Sequence, residues 1–289
     1  MIEQDQLRRF LFENLGVRGE WVNLTQSWQA AKRHQTGSAV VQQQLGQALA
    51  AVVMLSATIK FKGSMILQAQ GDGSIKTLVA QATDDLKIRG LVRSTSDVNT
   101  GTLEQLFGQG RLVLTIGAQS GAPYQGVVPL QGDNLAVALQ SYFQQSEQLK
   151  TRIWLFADET QAAGLLLQEL PEQKGYEADW ERIVMLADTV TVQELFNLDC
   201  EQMLYRLFNE EQVRVFPAEA IEFCCSCSRA KIETTLRALG KVELEEILQE
   251  QGRIEVSCEF CSQSYVFDGI DVQSLLLHDS VIIDSETRH

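Results

Sequence analysis

Residues 254–267 read IEVSCEFCSQSYVF and place Cys258 and Cys261 between two short arms that have the composition of strands. The arms, Ile254 to Ser257 and Ser264 to Phe267, are rich in β-branched and aromatic residues, which favour extended structure. A hairpin with a CxxC pair at its turn is typical of a zinc knuckle. The stretch therefore predicts a small metal-stabilised unit near the end of the chain.

Residues 223–229 read FCCSCSR and supply a second group of cysteines about thirty residues upstream. Zinc held by four cysteines needs two such groups brought together. Cys224 with Cys227 makes a second CxxC, whereas Cys225 with Cys227 makes a CxC, and spacing alone favours the CxxC because it is the commoner zinc spacing. A unit of under about 70 residues commonly needs a metal to stay folded, so zinc is the predicted cofactor.

The remaining cysteine and two of the histidines give little indication of metal binding. His34 and His278 are far in the sequence from the cysteine groups, and we expect neither to bind the metal. Cys200 stands alone in a helical pattern and is expected to be a small buried apolar residue. Because most sites with four cysteines are structural, spacing by itself favours a purely structural zinc lobe.

The rest of the chain divides by its hydrophobic pattern. A short helical or mixed opening is predicted over Leu7 to Glu20, and strand-like segments then cluster up to residue 169, interrupted by a helix with Asp133 as its N-cap. Residues 1–170 are therefore predicted to form an α+β core domain. Residues 171–222 are predicted to be a helical linker without strands, whose apolar stripes must pack on a neighbour.

Residues 223–289 are the predicted C-terminal zinc unit, with two helices around Ile232 to Leu239 and Leu244 to Leu248 that end at Gly240 and Gly252. The predicted fold class is therefore α+β, with an N-terminal mixed α/β domain, a helical linker and a small C-terminal zinc-binding domain.

Composition and charge exclude several classes of function. The chain has 289 residues, of which 45% are hydrophobic, and a net charge of -14, which opposes binding to nucleic acid or to anionic membranes. Between Glu169 and Glu222 there are thirteen acidic and four basic residues, so the linker stays soluble even when its structure loosens. The N-terminus lacks the pattern of a secretory signal, and no apolar run is expected to cross a bilayer. We therefore expect a cytoplasmic protein with reduced cysteines.

Several segments together resemble the heat shock protein 33 family. In the C-terminal unit, the resemblance rests on Phe223 to Arg229, then on Cys258 to Cys261, and then on Tyr265 and Phe267. It extends over nearly the whole chain. The segments that carry it in the first 170 residues are Asp5 to Leu7, Leu11 to Asn14, Val17 to Glu20, Leu67 through Gln70 to Gly73, Tyr124 to Val128, Ser141 to Phe143, Ser146 to Leu149 and Leu165 to Gln168.

The resemblance implies a site and a mechanism. Because the family uses a CxC followed by Ser-Arg, it implies Cys225, Cys227, Cys258 and Cys261 as the zinc ligands and as the redox-switch residues. It implies an ATP-independent holdase chaperone of the stress response that is silent when reduced and zinc-bound. Oxidation would form the disulfides Cys225–Cys227 and Cys258–Cys261, release zinc and unfold the linker, so that unfolded client proteins bind.

The resemblance also implies a homodimer in the oxidised form, and a transfer of clients to ATP-dependent foldase chaperones. It leaves the role of the additional Cys224 open.

Two other functions compete with this interpretation. A CxxC thiol-disulfide oxidoreductase needs its reactive cysteine at a helix N-terminus, whereas Cys258 is predicted to lie on a hairpin. A protein with a purely structural zinc lobe would carry its function elsewhere, but the turns Gly71 to Gly73 and Gly132-Asp133 lack the context of a phosphate-binding loop. No catalytic set is evident in the sequence, so we do not expect an enzyme.

Overall fold

The structure is a computed structural model that describes residues 5–95, 98, 100–118, 123–170 and 177–283, with side chains up to Leu276. The chain divides into two compact units, one ending at Cys224 and the other beginning at Cys225. The expected mixture of helices and strands is confirmed. The division into core domain, linker and zinc unit stays a prediction, and its residues 171–176 and 284–289 lie outside the described residues.

The first sheet of the larger unit is antiparallel throughout. It contains β1 (Gln6–Phe12), β2 (Val17–Leu24), β8 (Thr151–Ala157), β9 (Ala162–Glu169), β10 (Val213–Val215) and β11 (Glu219–Ala220). Its order is β10-β1-β2-β9-β8, and β11 also pairs with β1. The short strands β10 and β11 therefore close the edge of this sheet at β1, which is where an unpaired edge would otherwise be exposed.

The second sheet of the larger unit contains β3 (Gly63–Gly71), β4 (Ile75–Thr83), β5 (Lys87–Ser94), β6 (Gly110–Ala118), β7 (Tyr124–Pro129) and β12 (Glu222–Phe223). Its order is β12-β5-β4-β3-β6-β7, and only the pair of β12 with β5 is parallel within the described residues. Strands β3 and β4 pair as an antiparallel hairpin around the turn at Gly71 to Gly73.

The helices of this half of the chain are α1 (Gln26–Lys32), α2 (Ala39–Ala57), α3 (Leu103–Phe107) and α4 (Leu135–Tyr142), and α4 continues as a π-helix over Phe143–Glu147. Helix α2 contacts strands of both sheets and belongs to the main hydrophobic core. It is long and apolar enough to cross a bilayer, contrary to the expectation that no such run exists, but 67% of its most apolar window is buried inside the protein. It is therefore the central core helix.

Three helices cover the other face of the first sheet. They are α5 (Glu177–Ala187), α6 (Val192–Asn197) and α7 (Cys200–Phe208). Their apolar sides pack on Val17, Trp21 and Leu165 and form a second hydrophobic core. Thr191 and Glu194 form a capping box at the start of α6, because each side chain bonds the other residue's backbone N–H. The predicted apolar stripes are thus buried on a sheet.

Three expectations about this unit are wrong. Residues 7–20 are not helical but form the β1–β2 hairpin, since Asn14 and Gly16 adopt left-handed conformations that reverse the chain. The segment after Pro171 does contain strands, because β10, β11 and β12 lie within it. These strands have two or three residues each, too few to show a period in the sequence. The N-cap of α4 is Asn134 rather than Asp133.

The smaller unit contains α8 (Arg229–Leu239), α9 (Lys241–Gln251), β13 (Ile254–Ser257), β14 (Ser264–Phe267) and α10 (Gly269–Ile283). Both predicted helices and both predicted strand arms are confirmed, and the arms pair as an antiparallel hairpin. Gly240 and Gly252 have positive φ at the helix ends, as expected. Six described residues form its buried core, so this unit has little apolar surface with which to hold itself together.

Candidate metal centre

Four cysteine sulfurs meet at one point in the smaller unit. The Sγ atoms of Cys225, Cys227, Cys258 and Cys261 all lie within 4.8 Å of one another. The closest pairs are Cys225 with Cys258 at 3.6 Å and Cys227 with Cys261 at 3.4 Å. All six cysteines of the chain are described, and all are free thiols. The fold thus joins the two cysteine groups that the sequence separates.

The downstream pair is set by the turn between β13 and β14. The Cys258 N–H donates to the Gln263 carbonyl oxygen at 2.9 Å, and the Ser262 N–H donates to the Cys258 carbonyl oxygen at 2.7 Å. Ser262 adopts a left-handed conformation with φ of 55°, which turns the chain back into β14. This tight turn directs Cys258 and Cys261 towards the same point.

The upstream pair is fixed by the start of α8. Ser228 is its N-cap, and the Ser228 hydroxyl accepts a hydrogen bond from the Lys231 N–H at 3.3 Å. The Lys231 ammonium also donates to the Ser226 carbonyl oxygen at 2.6 Å, between the two cysteines. One hydrogen bond therefore fixes the backbone between Cys225 and Cys227, and the other fixes the first turn of α8, which follows directly.

Two side chains from this region were not assigned a role from the sequence. The Tyr265 hydroxyl donates to the Cys227 sulfur at 3.3 Å, and the Arg229 guanidinium lies over the Phe267 ring. Side chains alternate between the two faces of a strand, so Tyr265 and Phe267 lie on one face of β14. This alternation in the sequence could have indicated that both side chains face the same neighbours. The β13–β14 hairpin therefore carries Cys258 and Cys261 and also contacts Cys227 and Arg229 of the upstream segment.

The sulfur positions fit a tetrahedral metal ion. A Zn–S bond of about 2.3 Å gives an S···S edge of about 3.8 Å in a regular tetrahedron. The closest sulfur pairs at 3.4 and 3.6 Å, and the limit of 4.8 Å on all pairs, bracket that edge. Thiolates select zinc and other soft ions over magnesium or calcium. The residues therefore suit a structural zinc.

The electrostatics of the four thiols favour a cation at their centre. Burial would raise the pKa of Cys227, but hydrogen bonds from Tyr265 and the other cysteines outweigh it and lower the pKa to about 7. Burial raises the pKa of Cys261 to about 12 and also raises that of Cys225. Several thiolates cannot form side by side without a counter-charge. A divalent cation supplies that counter-charge and stabilises all four thiolates.

The other candidates lie elsewhere. Cys224, which spacing alone favoured as a ligand, is exposed, and its N–H donates to the Ile88 carbonyl oxygen at 2.9 Å as an extension of β12. It is not among the four clustered sulfurs. Cys200 is 1% exposed, which confirms the expected buried residue, and burial raises its pKa to about 12. His34 is not part of the cluster, and the side chain of His278 lies outside the described residues.

Comparisons with known proteins agree with the resemblance seen in the sequence. A sequence model of the family described as "Hsp33 protein" matches residues 5–268. A "33 kDa chaperonin" from Nitrosococcus oceani is 56% identical over 289 residues, with 100% of both chains covered. Another from Shewanella sediminis is 44% identical over 275 residues, which covers 95% of this chain and 96% of that protein.

The fold is also similar to a solved structure. The crystal structure of a 33 kDa chaperonin, a heat shock protein 33 homologue from Thermotoga maritima, superimposes with a TM-score of 0.82. The match covers 95% of this chain and 99% of that chain, at 24% sequence identity. At that identity the likeness concerns the fold alone.

Proposed function

The chain belongs to the Hsp33 family, and from that membership we propose that it is a redox-regulated, ATP-independent holdase chaperone. It would prevent the aggregation of unfolding or oxidatively damaged proteins during stress, and it needs no catalytic site to do so. The observation that carries this proposal is the meeting of four thiols in a unit with a six-residue buried core. Such a unit depends on its cysteines to stay folded.

Zinc is the proposed cofactor, held by Cys225, Cys227, Cys258 and Cys261 in the reduced protein. When bound, it keeps the four sulfurs as thiolates and cross-links the start of α8 to the β13–β14 hairpin. Structural zinc contributes roughly 10–16 kcal/mol in small zinc-binding peptides, which is comparable with the whole stability of a domain. The small core of this unit could not replace that contribution.

Oxidation of the thiolates is the proposed switch. A peroxide takes two electrons from two thiolates and, with two protons, gives one disulfide and two water molecules. By the family resemblance, the disulfides are Cys225–Cys227 and Cys258–Cys261. The closest sulfurs join Cys225 to Cys258 and Cys227 to Cys261 instead, so proximity does not by itself select the pairing. Either pairing converts all four thiolates to disulfide sulfurs, so zinc would lose all four of its ligands.

Helices α5 to α7 are the proposed client-binding segment. Their buried sides supply apolar surface once they leave the first sheet. Residues 177–208, which span these helices, hold seven acidic and two basic residues, and this negative charge would keep the exposed segment from self-association. We propose unfolded proteins as clients, a homodimer in the oxidised state, transfer of clients to ATP-dependent foldases, and a cytoplasmic location where thiols stay reduced.

The test exposes the purified, zinc-loaded protein to peroxide at mild heat. A metallochromic dye follows zinc release, and light scattering of a thermally unfolding client follows holdase activity without ATP. We expect zinc release and suppression of scattering to rise together and to reverse with dithiothreitol. Zinc release without any gain of activity would favour a purely structural lobe. Equal activity in the reduced, zinc-bound protein would refute the switch.

A CxxC oxidoreductase remains the weaker alternative, because Cys258 lies at the end of a β-hairpin strand and not at a helix N-terminus. Catalytic turnover of a disulfide substrate such as insulin would favour it.

A further inference from the structure

The larger unit contains a cavity that the redox switch does not use. It has a volume of about 180 Å³ and lies beyond the C-terminal end of α2. Its walls are mostly apolar, with Leu55, Met65, Leu114 and Phe143 among them. Ile59, which is 40% exposed, and Tyr124 stand at the solvent side. The cavity is therefore a cleft open on one side, and a mostly apolar cleft with a few polar groups is the common form of a small-molecule site.

Five of the eight segments by which the first 170 residues resemble the Hsp33 family contribute residues to this cavity. Val17 to Glu20 contributes Arg18, and Tyr124 to Val128 contributes Tyr124. Ser141 to Leu149 contributes Tyr142, Phe143 and Glu147, and Leu165 to Gln168 contributes Gln168. All of these residues belong to the larger unit, whereas the cysteine cluster belongs to the smaller one. The proposed redox switch therefore leaves this shared feature unexplained.

Arg18 provides a positive end to the cavity. Its guanidinium donates to the Thr58 carbonyl oxygen at 2.7 Å and to Gln168 Oε1. Gln168 is 1% exposed and is held in turn by Thr151, whose hydroxyl accepts from Gln168 Nε2 at 2.8 Å. The Arg18 Nε is buried without a hydrogen-bond partner among the described residues. The protein therefore does not satisfy every N–H of the Arg18 guanidinium, which is unfavourable for a buried charged group.

Another part of the cavity wall is formed by irregular backbone. Residues 143–147 make a π-helix, and Gln148 closes it in a left-handed conformation with φ of 54°. π-Helical turns and left-handed non-glycine residues are frequent at functional sites. Here they place the Glu147 carboxylate where it accepts hydrogen bonds from the Tyr124 hydroxyl at 2.9 Å and from the Tyr142 hydroxyl at 3.0 Å. The two phenols stabilise the Glu147 carboxylate, which keeps its negative charge, so the wall of the cavity carries one cationic side chain, Arg18, and one anionic side chain, Glu147.

We propose that this cavity binds a small organic acid whose apolar body, about the size of one aromatic ring, lies between Met65 and Phe143 and whose carboxylate faces Arg18. The size supports this class, because an apolar cavity of about 150 Å³ holds benzene. A planar guanidinium is also the preferred protein partner of a carboxylate. The site is independent of the cysteines, so it is available in the reduced, zinc-bound protein.

The experiment titrates phenylacetate into the reduced full-length protein with methionine and isoleucine methyl groups labelled for NMR. Phenylacetamide, which has the same shape without the charge, is the matched probe. We expect saturable shifts at the methyl groups of Met65, Ile59 and Ile116, and about tenfold weaker binding of the amide. Arg18→Gln should remove the difference between the two probes. Arg111→Gln, an exposed arginine on β6 outside the cavity, should leave both affinities unchanged.

Ile59→Trp gives a second test at an exposed position, where the fold should tolerate the change. The indole should block the entrance and weaken both probes at least tenfold. Absence of saturable shifts at about 10 mM phenylacetate would overturn the proposal. Equal affinities for acid and amide, or shifts that Ile59→Trp leaves unchanged, would overturn it as well. Because no step depends on oxidation, failure here leaves the proposed chaperone function untouched.

Discussion

The Arg229 guanidinium lies 4.2 Å from the centroid of the Phe267 ring, and this contact joins the two halves of the cysteine cluster. Arg229 begins α8 two residues after Cys227, and Phe267 ends the strand that follows Cys261. The same guanidinium donates to the Val266 carbonyl oxygen at 2.9 Å and pairs with Asp271 at 2.8 Å. The Arg229 side chain therefore connects the segment that carries Cys225 and Cys227 to the β13–β14 hairpin and to α10.

Arg229→Ala should make the zinc site easier to open. Loss of the cation–π contact and of the hydrogen bond to Val266 removes about 1 kcal/mol from the stability of the unit, or roughly a fivefold change in its opening equilibrium. Zinc release by a fixed peroxide concentration should therefore be several times faster, as a metallochromic dye would measure. Arg253→Ala is the control, because Arg253 is exposed and, among the described residues, forms an ion pair with the exposed Glu255 alone. Equal rates for both variants would contradict this role of Arg229.

Substitution of Cys224 and of Cys225 should show which of these two neighbouring cysteines binds zinc. Cys225→Ala removes one of the four clustered sulfurs, so we expect the purified variant to contain little zinc. Cys224→Ala removes an exposed thiol outside the cluster and should retain one zinc per chain. Atomic absorption on both variants, purified under reducing conditions, provides the measurement. Loss of zinc from Cys224→Ala would restore the CxxC pairing that spacing favours.

The sequence predicted the parts of the structure that depend on nearby residues. The β13–β14 hairpin and both helices of the smaller unit were predicted, because their caps and periods are local. Spacing did not predict which cysteines cluster. Cys224 instead extends β12, because its N–H donates to the carbonyl oxygen of Ile88, which lies 136 residues earlier in the chain (224 minus 88). Strands β10 to β12 and the cavity at Arg18 likewise depend on distant partners, which no local pattern contains.

Phe208→Ala should weaken the docking of α7 on the first sheet. Phe208 is 2% exposed and packs edge to face on Phe12, with the ring centroids 4.9 Å apart. Removing a buried phenylalanine costs about 3–5 kcal/mol. We expect faster proteolysis of α5 to α7 in the reduced protein, and suppression of client scattering at a lower peroxide concentration than the unsubstituted protein requires.

Tyr205→Ala is the matched control for that variant, because Tyr205 lies on the same helix but is 75% exposed. Its proteolysis rate and peroxide requirement should match those of the unsubstituted protein. If Phe208→Ala were cleaved faster but gained no activity, helix undocking would not be sufficient for client binding.

Glu20→Gln should change how stability depends on pH. Glu20 on β2 is buried, and burial raises its pKa to about 7 against the attraction of Arg18 and Arg9. In the unfolded chain the carboxyl titrates near its ordinary value of about 4.3. The neutral carboxyl therefore contributes stability that is fully present below that value and is lost as pH rises through about 7.

The loss between pH 4.5 and pH 8 is on the order of 3 kcal/mol for the unsubstituted protein. Glutamine keeps the shape of the neutral side chain without ionising, so Glu20→Gln should show a smaller loss over the same interval. Urea unfolding of the reduced protein at pH 5, 6, 7 and 8, followed by tryptophan fluorescence, measures the difference. Because Trp21 is the next residue on β2, its signal reports on this strand directly. Parallel pH profiles for the two proteins would mean that Glu20 ionises without penalty inside the fold.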